Sequence, residues 1–91
     1  MRFVRRVWGW YFVILARKRY KVKLLRFSGK HRMSRQYHRH RNELWLFLTG
    51  NKAGTWKQHY KLKEHTYVGG KAFAIEIQYG EKCEESDIVR F

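Results

Sequence analysis

Tyr20-Lys21-Val22-Lys23-Leu24-Leu25-Arg26-Phe27 opens by alternating apolar and charged side chains, and that period of two decides the class of the fold. Side chains on a strand point alternately to opposite sides. Tyr20, Val22 and Leu24 therefore share one face and Lys21 and Lys23 the other, which predicts a half-buried strand over residues 20–27 with its lysines in water. Working outward, residues 44–48 carry Trp45 and Phe47 and stop at Thr49-Gly50. Residues 72–79 alternate Phe73, Ile75 and Ile77 against Glu76 and Gln78, so both segments read as strands. Weaker strand signals fall at 10–15, 33–38, 55–62 and 65–68, with an edge at 88–91. Ala16 and several long side chains favour a helix over 11–20, but the aromatic and β-branched residues there weigh against it. The chain has no proline, and its 7 glycines mark turns between short segments. Many short strands between glycine turns imply an antiparallel barrel or sandwich, formed as one domain over residues 1–91.

A chain of 91 residues buries a modest share of its surface, so the core must be efficient. The aromatic fraction of 18% supplies the bulk for it. The single cysteine, Cys83, excludes an internal disulfide and points to a reducing compartment. Its acidic neighbours Glu81, Glu84 and Glu85 disfavour a thiolate, so Cys83 reads as a plain thiol. The apolar run from Val7 to Ala16 follows Arg2, Arg5 and Arg6, as in a secretion signal, yet it is aromatic, lacks a small-residue cleavage site and is too short to span a bilayer. A soluble, cytoplasmic protein without membrane contact is the expectation.

Charge is the strongest global feature. Lys and Arg number 21 against 7 Asp and Glu, a formal net charge of +14. Such a surface attracts polyanions through its field and through counterion release. Most of the arginines precede residue 42, and the acids gather from Glu76 onward, which leaves a bipolar surface able to self-associate.

The chemistry concentrates in Gln36-Tyr37-His38-Arg39-His40-Arg41-Asn42-Glu43. On a strand His38 and His40 present imidazoles to one face, with Arg39 and Arg41 pointing away. Glu43 then turns back as a third ligand, and His59 or His65 from another strand supplies a fourth. Two histidines with a carboxylate suit zinc, iron, manganese or nickel. The same string also reads as a basic, solvated strand that contacts phosphate. Gly69-Gly70-Lys71 is too short for a phosphate-cradling loop and reads as a turn. The aromatics Trp8-Gly9-Trp10-Tyr11 offer stacking faces, but in so small a domain they read first as packing.

Four stretches occur together in order: Val7-Trp8-Gly9-Trp10-Tyr11; Tyr20-Lys21-Val22-Lys23; residues 34–45 around the histidines; and Ile75-Glu76-Ile77-Gln78-Tyr79-Gly80 with Ser86-Asp87-Ile88-Val89-Arg90-Phe91. In this the chain resembles the type II mannose-6-phosphate isomerase cupins, which are found fused behind guanylyltransferases and as small stand-alone, including phage-encoded, proteins. The resemblance implies an all-β, jelly-roll cupin barrel and a divalent metal, zinc first, facing an aldose or ketose phosphate. It places His38, His40 and Glu43 on the metal, with Glu43 also moving the proton, and Gln36 on the same face. Lys21, Arg35 and Arg90 are the candidates for phosphate. Two departures stand out: Leu44 replaces the histidine that relatives carry after the glutamate, and a Pro-x-Gly turn with its further histidine is missing. The barrel is therefore abbreviated, and His59 is the substitute ligand.

Two functions from different classes follow. One is a metal-dependent sugar-phosphate isomerase. The other is a non-enzymatic binder of nucleic acid, a nucleotide or an acidic protein, drawing on Arg2, Arg5 and Arg6 at the start of the chain. Arg17, Lys18 and Arg19 form a second group, and Lys30, Arg32, Arg39 and Arg41 a third. A homodimer is expected, because an incomplete barrel leaves strand edges that seek partners.

Overall fold

The computed structural model describes residues 2–29, 33, 35–67, 70–83 and 86–90. Among these there are eight strands and no helix, so 11–16 is strand, as its aromatic and β-branched residues require, and 17–19 turns into the next strand at Tyr20. The strands are β1 (Arg2–Arg6), β2 (Gly9–Ala16), β3 (Tyr20–Phe27), β4 (Gln36–Tyr37), β5 (Arg41–Phe47), β6 (Trp56–His59), β7 (Ala72–Gly80) and β8 (Val89–Arg90). Six form one antiparallel sheet in the order β1-β2-β3-β7-β5-β6, and β4 pairs with β8 in a small second sheet. β1 went unread in the sequence because three of its five residues are arginine. Of the candidate strand at 33–38, whose Ser34 lies outside the described residues, β4 is the paired part, and the one at 65–68 gives a single bridge between His65 and Gln36, with Val68 outside the described residues.

The large sheet folds over a core of Tyr11, Val13, Leu25, Phe27, Met33, Trp45, Phe47, Tyr67, Ala72 and Ala74. Its centre is aromatic: Phe27 stacks on Tyr67 at 3.8 Å between ring centroids and reaches Trp45 at 5.7 Å. Met33 and residues 65–67 close this core from the other side, held by backbone bonds from Met33 N to Tyr67 O (3.1 Å) and from His65 N to Gln36 O (2.7 Å). β2 and β3 meet closely at Gly9. A Cβ there would lie 1.7 Å from the Arg26 carbonyl oxygen, at a φ of 151° that side chains avoid.

The direction of the alternation departs from expectation. Lys21 and Lys23 are buried at 8% and 4% exposure, while Tyr20 is 47% exposed. The same inversion holds on β7, where Glu76 and Gln78 face inward and Ile77 faces out. The inward polar side chains face one another across strands. Lys23 lies directly opposite Glu76 and Lys21 opposite Gln78, and Lys23 also rests its ammonium 4.1 Å from the Tyr11 ring centre. Period two says which residues share a face; the partner strands decide which face is inside.

Candidate metal centre

The chain leaves β4 at Tyr37 and turns through residues 38–40 before β5 begins at Arg41. This turn breaks the alternation expected of a strand. His38 goes in, buried at 3%; His40 is only half-buried, and Arg41, expected to point away, is buried at 3%. Asp87 holds the turn: its carboxylate accepts the backbone N–H groups of Arg39 and His40, both at 2.9 Å. The Asp87 carbonyl lies 2.5 Å from His38 Nδ1. A carbonyl only accepts, so Nδ1 carries the proton and Nε2 is left to face the interior.

There it meets Glu43. His38 Nε2 lies 3.0 Å from Glu43 Oε2, and His65 Nε2 lies 3.4 Å from Glu43 Oε1. Alternation along β5 turns Arg41, Glu43 and Trp45 inward together. Trp45 Nε1 donates to Glu43 Oε1 at 3.1 Å, and Arg41 Nε donates to Oε2 at 3.1 Å. Burial opposes ionisation of Glu43, but its close contacts with His38 and His65 and the charge of Arg41 outweigh it, holding the carboxyl well below its ordinary range. Glu43 is thus a carboxylate.

Donor atoms of His38, Glu43 and His65 all lie within 4.8 Å of one another. Ligands around tetrahedral zinc stand about 3.4 Å apart, from metal–ligand bonds of about 2.1 Å. The set fits a divalent transition metal in geometry, in softness and in the tautomer imposed on His38. Arg41 shares the same carboxylate, so one positive charge already stands beside the place a second would take.

His59 lies against this group without joining it. Its ring stacks on His65 at 4.4 Å, and its Nε2 is buried with no hydrogen-bond partner among the described residues. Burial first, then the His65 charge, push its pKa down to about 4, so the ring is neutral near pH 7. His59 also joins two neighbouring cavities. One, of about 280 Å³, is lined by aromatic residues including Trp45 and Trp56 together with Lys52 and Lys57; the other, of about 260 Å³, reaches His65.

The remaining sequence candidates scatter. Gln36 is buried beside the centre, its Nε2 at 3.5 Å from His65 Nε2. His40 instead lines a separate cavity with Arg39, Lys82, Ser86 and Asp87. Lys21 is interior on β3, whereas Arg35 pairs with Glu64 on the surface and Arg90 is exposed on β8. Arg2, Arg5, Arg6, Arg17, Lys18, Arg19 and Arg39 are exposed, Arg41 belongs to the interior, and Lys30 and Arg32 fall outside the described residues. Asp87 and Arg41 were missed in these roles, although Asp87 stood inside a stretch that carried the resemblance.

Residues 1–73 match the sequence profile of the family described as mannose-6-phosphate isomerase C-terminal. The chain is 33% identical over 105 aligned positions to the mannose-1-phosphate guanylyltransferase ManC of Salmonella typhimurium, covering 99% of the chain and 22% of that protein. Identity and coverage are the same for the mannose-1-phosphate guanylyltransferase of Escherichia coli, 33% over 105 positions, 99% and 22%. The chain thus spans about a fifth of the length of these curated relatives. Among solved structures, a protein from Planctomyces limnophilus superposes with a TM-score of 0.59 at 19% identity, covering 100% of this chain and 90% of that one. An RmlC-like cupin from Ralstonia eutropha does so at 0.55 and 16%, covering 98% and 73%. At these identities the structures establish the fold, a small all-β cupin.

Proposed function

The chain belongs to the mannose-6-phosphate isomerase C-terminal family, and from that premise we propose that it is a metal-dependent sugar-phosphate isomerase domain centred on His38, Glu43 and His65. The observation that carries the reading is the bond from His38 Nδ1 to the Asp87 carbonyl, which leaves Nε2 aimed at an ionised, buried Glu43. Orientation of a metal-binding histidine through its other nitrogen is how such centres are built. In this reading Glu43 is a ligand, since a carboxylate held so far toward ionisation is a poor base.

A divalent ion, zinc first, supplies Lewis acidity toward the carbonyl and adjacent hydroxyl of the sugar. The chain's own residues do the rest. His59, neutral and without a partner at Nε2 among the described residues, positions a sugar hydroxyl from its place on the cavity wall. Lys52 and Lys57 take the phosphate, since they line the cavity that His59 shares, whereas Arg35 and Arg90 stand elsewhere on the surface. Trp56 gives the sugar ring an apolar wall.

The test is metal analysis of the purified protein together with NMR detection of aldose to ketose conversion of mannose 6-phosphate. One equivalent of metal is expected, lost in His38→Ala and His65→Ala, with conversion that disappears in both variants. Protein that takes up no transition metal and leaves the sugar phosphate unchanged overturns the reading.

A further inference from the structure

The outward face of the large sheet carries a second, independent feature. Register aligns Arg5 of β1 with Trp10 of β2, Trp10 with Arg26 of β3, and Arg26 with Phe73 of β7. Residues directly opposite on antiparallel strands share a face. One row thus runs Arg, Trp, Arg, Phe across four neighbouring strands. Phe3 extends it, at 5.2 Å from Trp10 between ring centroids, and Trp10 meets Phe73 edge-on at 5.9 Å. Arg26 lies over the Phe73 ring at 4.4 Å, and Phe3 is 49% exposed.

We propose that this row is a binding platform for single-stranded nucleic acid. An open sheet presenting flat aromatic rings between cations suits unpaired bases, which stack on the rings while phosphates meet the guanidinium groups. Double-stranded nucleic acid keeps its ring faces covered and gains only the charge contact. The occupant is chosen by charge complementarity: in a protein of net charge +14, the row's only formal charges are two arginines. A second copy brings the same cations to the face and is repelled there, whereas a polyanion with π faces answers both components. The row lies on the opposite side of the sheet from the inward-facing Glu43 and does not depend on the isomerase reading.

Titration of the full chain with a fluorescein-labelled oligo(dT) dodecamer, read by anisotropy and by tryptophan quenching, tests the proposal. Trp10→Leu is expected to weaken binding by roughly tenfold and to abolish most of the quenching. Arg5→Gln with Arg26→Gln is expected to weaken it by about tenfold or more at low salt. The charge-matched pair Lys18→Gln with Lys63→Gln, on exposed loops, is expected to change it by less than about threefold. Circular dichroism and thermal melts of each variant verify the fold. Equal losses in both charge pairs, absence of quenching, or equal affinity for duplex overturn the proposal. So does sedimentation as a dimer whose dissociation, rather than oligonucleotide binding, responds to Trp10→Leu.

Discussion

His38 and Asp87, 49 residues apart in the chain, are joined twice over: the Asp87 carbonyl receives His38 Nδ1, and its carboxylate caps the backbone of the two residues that follow His38. The pairing converts a local turn into an oriented ligand. A buried imidazole with one nitrogen committed to a carbonyl has a single direction in which to offer its other lone pair.

Asp87→Ala removes both charge-assisted bonds to the turn while keeping the backbone carbonyl. Stability is expected to fall by about 2–4 kcal/mol in urea denaturation. Metal affinity is expected to drop by about 10- to 100-fold, measured by competition with a chromogenic chelator. Asp87→Asn, which keeps an acceptor oxygen, is expected to lie between the two.

Glu43→Ala strands the buried Arg41 guanidinium without its carboxylate. A loss of about 3–5 kcal/mol is expected. Replacing both together, Arg41→Met with Glu43→Leu, is expected to cost less than Glu43→Ala alone, because no uncompensated charge remains. A double-mutant cycle in guanidinium chloride measures the coupling; strict additivity contradicts the ion pair.

Glu76 and His59 give the folding stability two opposed pH dependences. Burial, reinforced by the Glu43 charge, raises the Glu76 pKa to about 7 from an ordinary 4.5, so the folded state binds more protons than the unfolded state between these limits. Stability therefore falls as pH rises through that window, and Glu76→Gln is expected to gain up to roughly 3 kcal/mol relative to the parent between pH 4.5 and pH 8. For His59, with its folded pKa pushed down to about 4, the sign reverses. Its contribution is complete above about pH 6.5, the unperturbed value, and is lost as pH falls through about 4. His59→Gln is expected to flatten the acid limb, as measured by thermal melts across the range.

Gly80→Ala is expected to destabilise the protein by more than Gly54→Ala, although both glycines have positive φ. A Cβ on Gly80 would lie 2.6 Å from the His40 carbonyl oxygen, and one on Gly54 meets nothing within 4 Å. Strain alone costs about 1 kcal/mol at Gly54, and the backbone clash adds about 2 kcal/mol or more at Gly80. Displacement of Arg41 next to Gly80 is expected to lower metal content as well, and equal midpoints for the two variants contradict the packing described.

The strands at 20–27 and 72–79 were legible because alternation is a property of adjacent residues. β5 was found but began earlier than its apolar run, since Arg41 and Glu43 look like surface residues until the pair they form is seen. β1 gave no signal, being mostly arginine and recruited only as an edge to β2. At the centre, His38 and Glu43 were identified by spacing and resemblance, and both are placed there. His65 was an alternative to His59 for the fourth position, and the bridge to Gln36 is what carries it inward. His40 was expected on the same face as His38, an inference that needed a strand where the chain makes a turn.

By itself the amino-acid sequence determined that this is a small all-β domain of the mannose-6-phosphate isomerase C-terminal family, because motif order and hydrophobic period are written in neighbouring residues. Which side of each strand is interior, and which histidines share a carboxylate, was decided only by tertiary structure. Lys23 is interior, over the Tyr11 ring and opposite Glu76, and His38 is aimed because Asp87 reaches it from 49 positions away. Both are cross-strand or long-range encounters, and a buried charge is stable only where its partner arrives.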